Sequence, residues 1–229
     1  MLLSSVTWPS FAMDGKGMRG AFITLEGTEG VGKSTNLEFM RQLIEDEGYL
    51  VVTTREPGGT KLGERIRELV LGSKRGSLSA MTETLLMFAA RSHHLDKVIN
   101  PALGRGEWVL CDRFSDATFA YQGAGRGGDK ELLERLSRAV QRDLAPDLTI
   151  LLDAPLGVSF GRLGDRPRDH FEQEGLTFFG RVRTEYLEIA ARHPERIRVI
   201  DAAQTIEDVQ RSIRGIIQDF IGRFDPEKA

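Results

Sequence analysis

The feature that most constrains this chain is segment 21–35, Ala-Phe-Ile-Thr-Leu-Glu-Gly-Thr-Glu-Gly-Val-Gly-Lys-Ser-Thr. Its apolar start predicts a buried strand, and Leu37, Met40 and Leu43 recur afterwards at helical spacing. Between them stand two glycines five residues apart and then Lys-Ser, the spacing of a phosphate-binding loop. A merely flexible glycine turn is disfavoured because strand and helix patterns flank the loop on both sides.

The loop predicts a nucleotide phosphate site for a physical reason. Glycines let successive backbone N–H groups point at phosphate oxygens, and the following helix directs the positive end of its dipole at the same anion. We expect Lys33 to reach the β- and γ-phosphates and the hydroxyl of Ser34 to ligate Mg²⁺.

Composition excludes several classes of protein. The chain has 229 residues, 40% of them hydrophobic and 28% charged, which suits one compact domain. A net charge of −3 provides no global field for nucleic acid, and no stretch approaches the ~18 apolar residues of a membrane helix. The single cysteine, Cys111, cannot form an internal disulfide, so we expect a reducing cytoplasm.

Residues 1–19 show no periodicity and are predicted to be a disordered extension, which leaves 20–229 as a single domain. No Lys or Arg precedes Lys16, so the charged start of a signal peptide is missing. Since Met13 and Met18 both precede the first strand, a later true start is an open alternative.

Strand and helix patterns alternate along the rest of the chain, and one helix is predicted over Thr84–Val98. The predicted strands are Phe22–Leu25, Tyr49–Thr54, Trp108–Cys111, Leu148–Leu152 and Ile197–Ile200. Such alternation predicts an α/β fold, a parallel sheet with helices on both faces and a ligand crevice at the carboxyl ends of the strands.

Polar residues follow these strands at the predicted crevice. Arg55 precedes a Pro-Gly-Gly turn, and it is either a ligand group or a solvated side chain. Asp112 ends the third strand, where a second group on the magnesium side is expected, and Arg113 adjoins it. Phe88 and Arg91 share a helix face and suit a base and a phosphate, or else core and surface.

The stretch 162–170 is polar, broken by Gly and Pro, and contains Arg162, Arg166 and Arg168. We interpret it as an arginine-rich lid that brings guanidinium groups onto a transferring phosphoryl group. The alternative is an ordinary charged loop.

Several motifs together resemble the bacterial thymidylate kinases over roughly residues 20–222. They are Glu26-Gly-Thr-Glu-Gly-Val-Gly-Lys-Ser-Thr35, Thr54-Arg-Glu-Pro-Gly-Gly-Thr60, Asp112-Arg113, Ala120-Tyr-Gln-Gly123 and Asp169-His-Phe-Glu-Gln-Glu174. The resemblance implies transfer of the ATP γ-phosphoryl group to dTMP. It also implies a three-layer α/β/α P-loop kinase with a five-stranded sheet, usually paired as a homodimer.

The resemblance also implies roles for individual positions. ATP would contact Gly27, Thr28, Glu29, Gly30, Val31, Gly32, Lys33, Ser34 and Thr35, with Mg²⁺ at Ser34 and Asp112. The dTMP site would comprise Glu29, Arg55, Met87, Phe88, Arg91, Arg113, Thr118, Tyr121 and Gln122. The catalytic cations would be Lys33, Arg113 and one lid arginine among Arg162, Arg166 and Arg168, since the loop itself contains no arginine.

Two positions depart from the family pattern. The Phe that stacks on thymine commonly stands four residues before the helix arginine, where this chain has Met87 and places Phe88 one residue later. The lid commonly carries Asp-Arg where this chain has Asp169-His170. Whether Met87 or Phe88 covers the base, and which lid arginine acts, both stay open at this level.

Two other functions compete with this interpretation. A kinase for another nucleotide or nucleoside would keep the loop and the lid but does not predict Thr-Arg-Glu-Pro-Gly-Gly-Thr. A nucleotide switch or transport ATPase is disfavoured because the chain lacks an Asn-Lys-x-Asp motif and a Leu-Ser-Gly-Gly-Gln-like signature.

Overall fold

A computed structural model of the chain describes residues 19–74, 76–163, 170–172 and 174–224. Five parallel strands form one sheet in the order β2-β3-β1-β4-β5. They are β1 (Phe22–Glu26), β2 (Val51–Arg55), β3 (Trp108–Asp112), β4 (Leu148–Asp153) and β5 (Ile197–Asp201). The predicted strands are confirmed to within two residues at their ends.

Nine α-helices lie within the described ranges. They are α1 (Lys33–Asp46), α2 (Lys61–Leu71), α3 (Ala80–His94), α4 (Asn100–Gly104), α5 (Ser115–Thr118), α6 (Lys130–Gln141), α7 (Leu156–Gly161), α8 (Leu176–Arg192) and α9 (Ile206–Phe224). Wider π-helical turns follow α3 at Leu95–Ile99 and α5 at Phe119–Gly125. None of the described helices is long and apolar enough to cross a membrane.

The central strand β1 shows why both faces of the sheet are covered. All five of its residues are buried, and neighbouring residues point to opposite faces. Ile23 and Leu25 pack in the core with α1 and α9, whereas Phe22 packs with Ile99 and Phe114 on the other face. Thr24 stands between Ile23 and Leu25 in the strand and pairs with Cys111 of β3 and Thr149 of β4. Its hydroxyl shares a 2.8 Å hydrogen bond with the hydroxyl of Thr149. This confirms the predicted three-layer α/β/α arrangement.

The predicted continuous helix over Thr84–Val98 is wrong at both ends. Helix α3 begins earlier, at Ala80, where the side chain of Ser79 caps it by accepting from the amide of Thr82. After His94 the chain widens into a π turn that leads to Pro101 in α4. Proline has no N–H to donate and its ring crowds the preceding turn, so a regular α-helix cannot run through this point.

The order of the strands places the site. Strand β1 lies at the centre of the sheet, with β3 and β2 on one side of it and β4 and β5 on the other. The order of the strands along the chain therefore changes direction at β1. The loops after β1, β2 and β3 therefore meet above the same carboxyl edge, where open α/β sheets bind ligands.

Candidate active site

The loop between β1 and α1 has the backbone that only glycine adopts readily. Gly27, Gly30 and Gly32 have φ angles of 136°, 75° and 88°. A Cβ on Gly27 would lie 2.4 Å from the carbonyl oxygen of Leu152, and one on Gly30 would lie 2.0 Å from that of Ser159. Conformation and space both require glycine here, which curls the loop into a cradle for an anion.

Lys33 stands half-buried at the start of α1 with its ammonium group inside this curl. Its Nζ donates to the carbonyl oxygens of Gly27 at 3.1 Å and Thr28 at 2.7 Å. Burial, with the nearby positive charge of Arg113, lowers the pKa of Lys33 to about 8. A bound phosphate would favour the charged form, so the lysine is placed to gain from an anion.

Arg113 crosses the space between the loop and the helical segment after β3. It has a left-handed φ of 69°, a conformation that costs a non-glycine residue about 1–3 kcal/mol. Its guanidinium donates to the Gly27 carbonyl at 2.9 Å and to Glu29 at 2.8 Å, and it lies 4.8 Å from the ring centre of Tyr121. The strained backbone is therefore held by contacts that aim the guanidinium at the loop.

Glu26, at the end of β1, is a buried carboxyl below this arginine that the sequence analysis did not assign. It accepts from the Phe114 amide at 2.7 Å and from the Tyr186 hydroxyl at 2.8 Å. Burial raises its pKa to about 7, and the charge of Asp116 adds to the effect. Its place just before the glycine loop is the only local signal that could have drawn attention to it.

Asp112 lies beside Arg113 at the end of β3. Its Oδ1 atom is buried and accepts no hydrogen bond from the described residues. Burying such an oxygen without a partner is unfavourable, and carboxylate oxygens are ligands that Mg²⁺ prefers. No group of three or more His, Cys, Asp or Glu side chains suited to a metal occurs in the described part of the chain.

Arg91 of α3 reaches the same region from the opposite side and is only 3% exposed. Its Nε donates to Glu56 at 2.6 Å, and its Nη2 donates to the Phe114 carbonyl at 3.0 Å and to the Thr118 hydroxyl at 2.9 Å. The Nη1 atom has no partner among the described residues. The guanidinium is thus fixed in one orientation, and its Nη1 group can donate to a ligand.

Glu56, the partner of Arg91, belongs to a buried chain of hydrogen bonds at the end of β2. Its second oxygen lies 3.0 Å from Nδ1 of His94, whose Nε2 lies 2.7 Å from the hydroxyl of Thr54. His94 therefore has a structural role, because it holds Glu56 and Thr54 together.

A cavity of about 310 Å³ connects these groups. It is lined by Glu29, Lys33, Glu56, Pro57, Arg67, Leu71, Met87, Arg91, Asp112, Arg113, Phe114, Ala117, Thr118, Tyr121, Gln122, Phe171 and Glu172. Lys33, Arg67 and Arg113 lie near one another and near Asp112, at the loop end of the cavity. Met87 and Arg91 belong to α3, and Gln122 donates to Glu83 of the same helix, at the α3 end. One end therefore suits phosphate and the other suits a flat group with polar edges.

Most of the predicted substrate residues line this cavity, but two do not. Arg55 is 52% exposed and pairs with Glu64 at 2.7 Å. Phe88 is buried behind Arg91, whose guanidinium carbon lies 5.3 Å from the ring centre, so Met87 and not Phe88 faces the cavity. The residues that do line it are Glu29, Met87, Arg91, Arg113, Thr118, Tyr121 and Gln122.

Arg67 of α2 lines the cavity although the sequence analysis did not select it. It donates to the Pro57 carbonyl at 3.2 Å. One signal was available, because Gly63 stands four residues earlier on the same helix face. A Cβ on Gly63 would lie 2.3 Å from the Gly58 carbonyl, so this face of α2 packs directly on the Pro-Gly-Gly turn beside the site.

The structure covers only the first of the three lid arginines. Arg162 follows α7 and donates through Nη1 to the carbonyl of Ala202 at 2.7 Å. Arg166 and Arg168 lie outside the described residues. Ser34 and Thr35 are exposed at the start of α1, next to the glycine loop.

Comparison with known proteins agrees with this geometry. A family model described as thymidylate kinase matches residues 25–213. The thymidylate kinase of Pseudomonas syringae pv. tomato is 52% identical over 205 residues, which is 89% of this chain and 98% of that protein. The thymidylate kinase of Nitrosomonas europaea is 51% identical over 203 residues, covering 88% of this chain and 94% of that protein.

A solved structure shares the fold as well. The crystal structure of thymidylate kinase from Ehrlichia chaffeensis superposes with a TM-score of 0.71 at 34% sequence identity. The match covers 87% of this chain and 99% of that one.

Proposed function

The chain belongs to the thymidylate kinase family, and we propose that its cavity binds dTMP with the phosphate toward the glycine loop and the base toward Arg91 and Gln122. The enzyme transfers the γ-phosphoryl group of ATP to dTMP and gives dTDP. The observation that supports the placement of dTMP is the distribution of the lining residues. Lys33, Arg67 and Arg113 lie together at one end, and Met87, Gln122 and the carboxylate-paired Arg91 lie at the other.

The cations at the loop end fit the demands of this reaction. The acceptor is itself a phosphate dianion, so no general base is essential, and the main obstacle is repulsion between two anions. We assign Lys33 and the loop amides to ATP, and Arg67 and Arg113 to the phosphate of dTMP. Positioned cations in a site shielded from water stabilise the charge that spreads over the γ-phosphate oxygens.

We assign Mg²⁺ to Asp112 and to the hydroxyl of Ser34. The buried Oδ1 of Asp112, which has no partner among the described residues, supports this assignment. When bound, the ion would neutralise charge on the β- and γ-phosphates.

We assign cover of the base to Met87, because Phe88 packs behind Arg91. The Nη1 of Arg91, which has no partner among the described residues, is a donor suited to a carbonyl of the pyrimidine.

We propose that an arginine of segment 162–170 supplies a further positive charge to the transferring phosphoryl group. Because Arg162 donates to Ala202, we assign the transition-state contact to Arg166 or Arg168. Replacing Arg166 and Arg168 together with alanine should lower kcat by about 100-fold or more while changing the Kd for ATP little, since lid closure stabilises the transition state preferentially. Equal losses in rate and ATP affinity would contradict this assignment.

We propose that the protein forms a homodimer through α2 and α3. Leu62 and Leu69 stand seven residues apart on α2, and Met81 and Leu85 stand four apart on α3; all four are 45–53% exposed. The two helices pack against each other, so these side chains can form one apolar face. Light scattering should give a dimer mass for the wild type and a monomer mass for Leu69→Glu with Leu85→Glu.

We also propose a cytoplasmic location, because the one cysteine is buried and unpaired as expected in a reducing compartment. Fractionation of cells with an antibody to the protein would check it. Recovery outside the cytoplasm would overturn it.

An acceptor panel tests the placement of the substrate. With ATP as donor, kcat/KM should be highest for dTMP and roughly 10- to 200-fold lower for dUMP, which lacks one methyl group. CMP should be poorer still, because its amino group cannot accept from Arg91. The competing function is a kinase for another nucleoside monophosphate, and equal turnover of AMP, GMP or CMP would favour it.

A further inference from the structure

The amide of Gln122 is oriented by a buried carboxylate that does not line the cavity. Gln122 lines the cavity and is 3% exposed, and its Nε2 donates to Oε1 of Glu83 at 2.8 Å. A carboxylate can only accept, so the nitrogen of this amide must face Glu83. The oxygen of Gln122 is then the atom available to a ligand.

Glu83 is itself held on its other side. It is completely buried in α3, and its Oε2 lies 3.2 Å from Nη2 and 3.3 Å from Nε of Arg126. Nε2 of His170 also lies 3.2 Å from this oxygen. Arg126 additionally pairs with Glu174. Moving a buried charge away from such partners is costly. Oε1 of Glu83 is therefore held against Gln122, and Oε2 is held against Arg126.

We propose that Glu83 is a positioning residue that makes the cavity select thymine over cytosine by fixing the direction of the Gln122 amide. This rests on the proposed placement of the base beside Gln122. The ring nitrogen N3 of thymine carries a hydrogen and needs an acceptor, whereas N3 of cytosine is an acceptor and needs a donor. With its nitrogen donating to Glu83, Gln122 offers its oxygen to the ligand, and a cytosine ring leaves two acceptors facing each other.

The arrangement predicts that replacing one oxygen of residue 83 with an NH₂ group changes what Gln122 offers to the ligand, from an acceptor to a donor. In Glu83→Gln, Arg126 still requires an acceptor, so the new amide should keep its oxygen on that side and turn its NH₂ group toward Gln122. Gln122 must then present its oxygen to position 83 and its NH₂ group to the ligand. The variant therefore offers a donor to N3 without changing the size of any side chain.

The test compares dTMP with 5-methyl-dCMP, which keeps the methyl group and the shape of the base. At pH 8, the ratio of kcat/KM for dTMP over 5-methyl-dCMP should be high in the wild type and fall roughly 10- to 100-fold in Glu83→Gln. Glu185→Gln is the matched control, since Glu185 is a buried carboxylate that pairs with Lys130 and Arg192 away from the cavity. Its ratio should equal that of the wild type.

The double variant Glu83→Gln with Gln122→Glu provides the rescue. The NH₂ group of Gln at 83 would donate to Glu at 122, which again offers an acceptor, so the ratio should return toward the wild-type value even if the single variant folds poorly. A purely structural role for Glu83 would lower both activities together and leave the ratio unchanged, which would overturn the inference alone. A wild type that does not prefer dTMP would instead overturn the proposed base site.

Discussion

The two ends of the cavity are built from different kinds of interaction. At the loop end, where we propose that phosphate binds (the phosphate end), the hydrogen bonds of Lys33 to described residues go to backbone carbonyls. Asp112 has one buried oxygen without a partner in the same part of the chain. At the α3 end, where we propose that the base binds (the base end), Arg91 pairs with Glu56, and Glu83 pairs with Gln122 and Arg126, all largely removed from water.

Charged residues therefore have different roles at the two ends: some are placed to bind a ligand, and others hold neighbouring side chains in position. At the phosphate end, Lys33 and Asp112 form no ion pair with the described residues, so removing either charge should change rate and affinity more than stability. Charges at the base end already have protein partners that hold donors and acceptors in fixed directions. Substitutions there should therefore destabilise the fold or change specificity.

The largest effect should come from the phosphate end. Replacing Lys33 with methionine should lower kcat by about 10²–10³-fold, because a positioned donor to the transferring phosphoryl group is lost. Its circular dichroism and Tm should stay close to the wild type. Lys97→Met removes an exposed lysine elsewhere and should leave kcat unchanged. Near-normal turnover in Lys33→Met would show that this loop does not bind the ATP phosphates.

The second largest effect should be a loss of folding stability when a charge at the base end is removed. Replacing Glu56 with glutamine leaves the buried Arg91 without its counter-charge and should lower the free energy of unfolding by about 3–5 kcal/mol. Glu64→Gln breaks the exposed pair with Arg55 and should cost about 1 kcal/mol or less. Urea unfolding of both variants measures the contrast, and equal losses would remove the distinction between the two ends.

A third comparison uses two arginines near the end of β2. Arg67 lines the cavity whereas Arg55 is half exposed, so Arg67→Ala should raise KM for dTMP roughly 10- to 100-fold, the worth of a charge-assisted hydrogen bond. Arg55→Ala should change KM about twofold or less. Steady-state kinetics with saturating ATP measures both, and a larger effect at Arg55 would reverse the assignment.

The smallest effect concerns pH. The pKa of Lys33 lies at about 8, so the free enzyme loses this positive charge as the pH rises through that value. ATP favours the charged lysine, and its affinity should therefore fall up to about tenfold between pH 7 and pH 9. Calorimetric titration at three pH values measures the fall. In Lys33→Arg the affinity should be nearly constant, since arginine stays charged throughout; an equal fall there would assign the titration to another group.

The residues of the proposed phosphate end could be predicted from the sequence because their patterns are local. The glycine loop, Lys33 and Asp112 follow directly from short patterns at strand ends, and parallel strands bring those ends to one edge. The sequence left open which residue lines the proposed base end. Met87 and Phe88 stand four and three residues before Arg91, both one helical turn away, and only the packing of Phe88 and Phe114 against Arg91 decides between them.

The α/β alternation and the glycine loop could be predicted from the sequence alone, because each depends on periodicity or on a short run of neighbours. Resemblance to the family, rather than any such pattern, indicated Met87, Thr118, Tyr121 and Gln122, which line the cavity. Three features become visible only in the folded molecule: Arg67 lines the cavity, Arg55 pairs with Glu64, and Gln122 donates to Glu83. The last of these joins side chains 39 residues apart. Direction in a hydrogen bond depends on which partners meet in three dimensions, and no local pattern encodes that meeting.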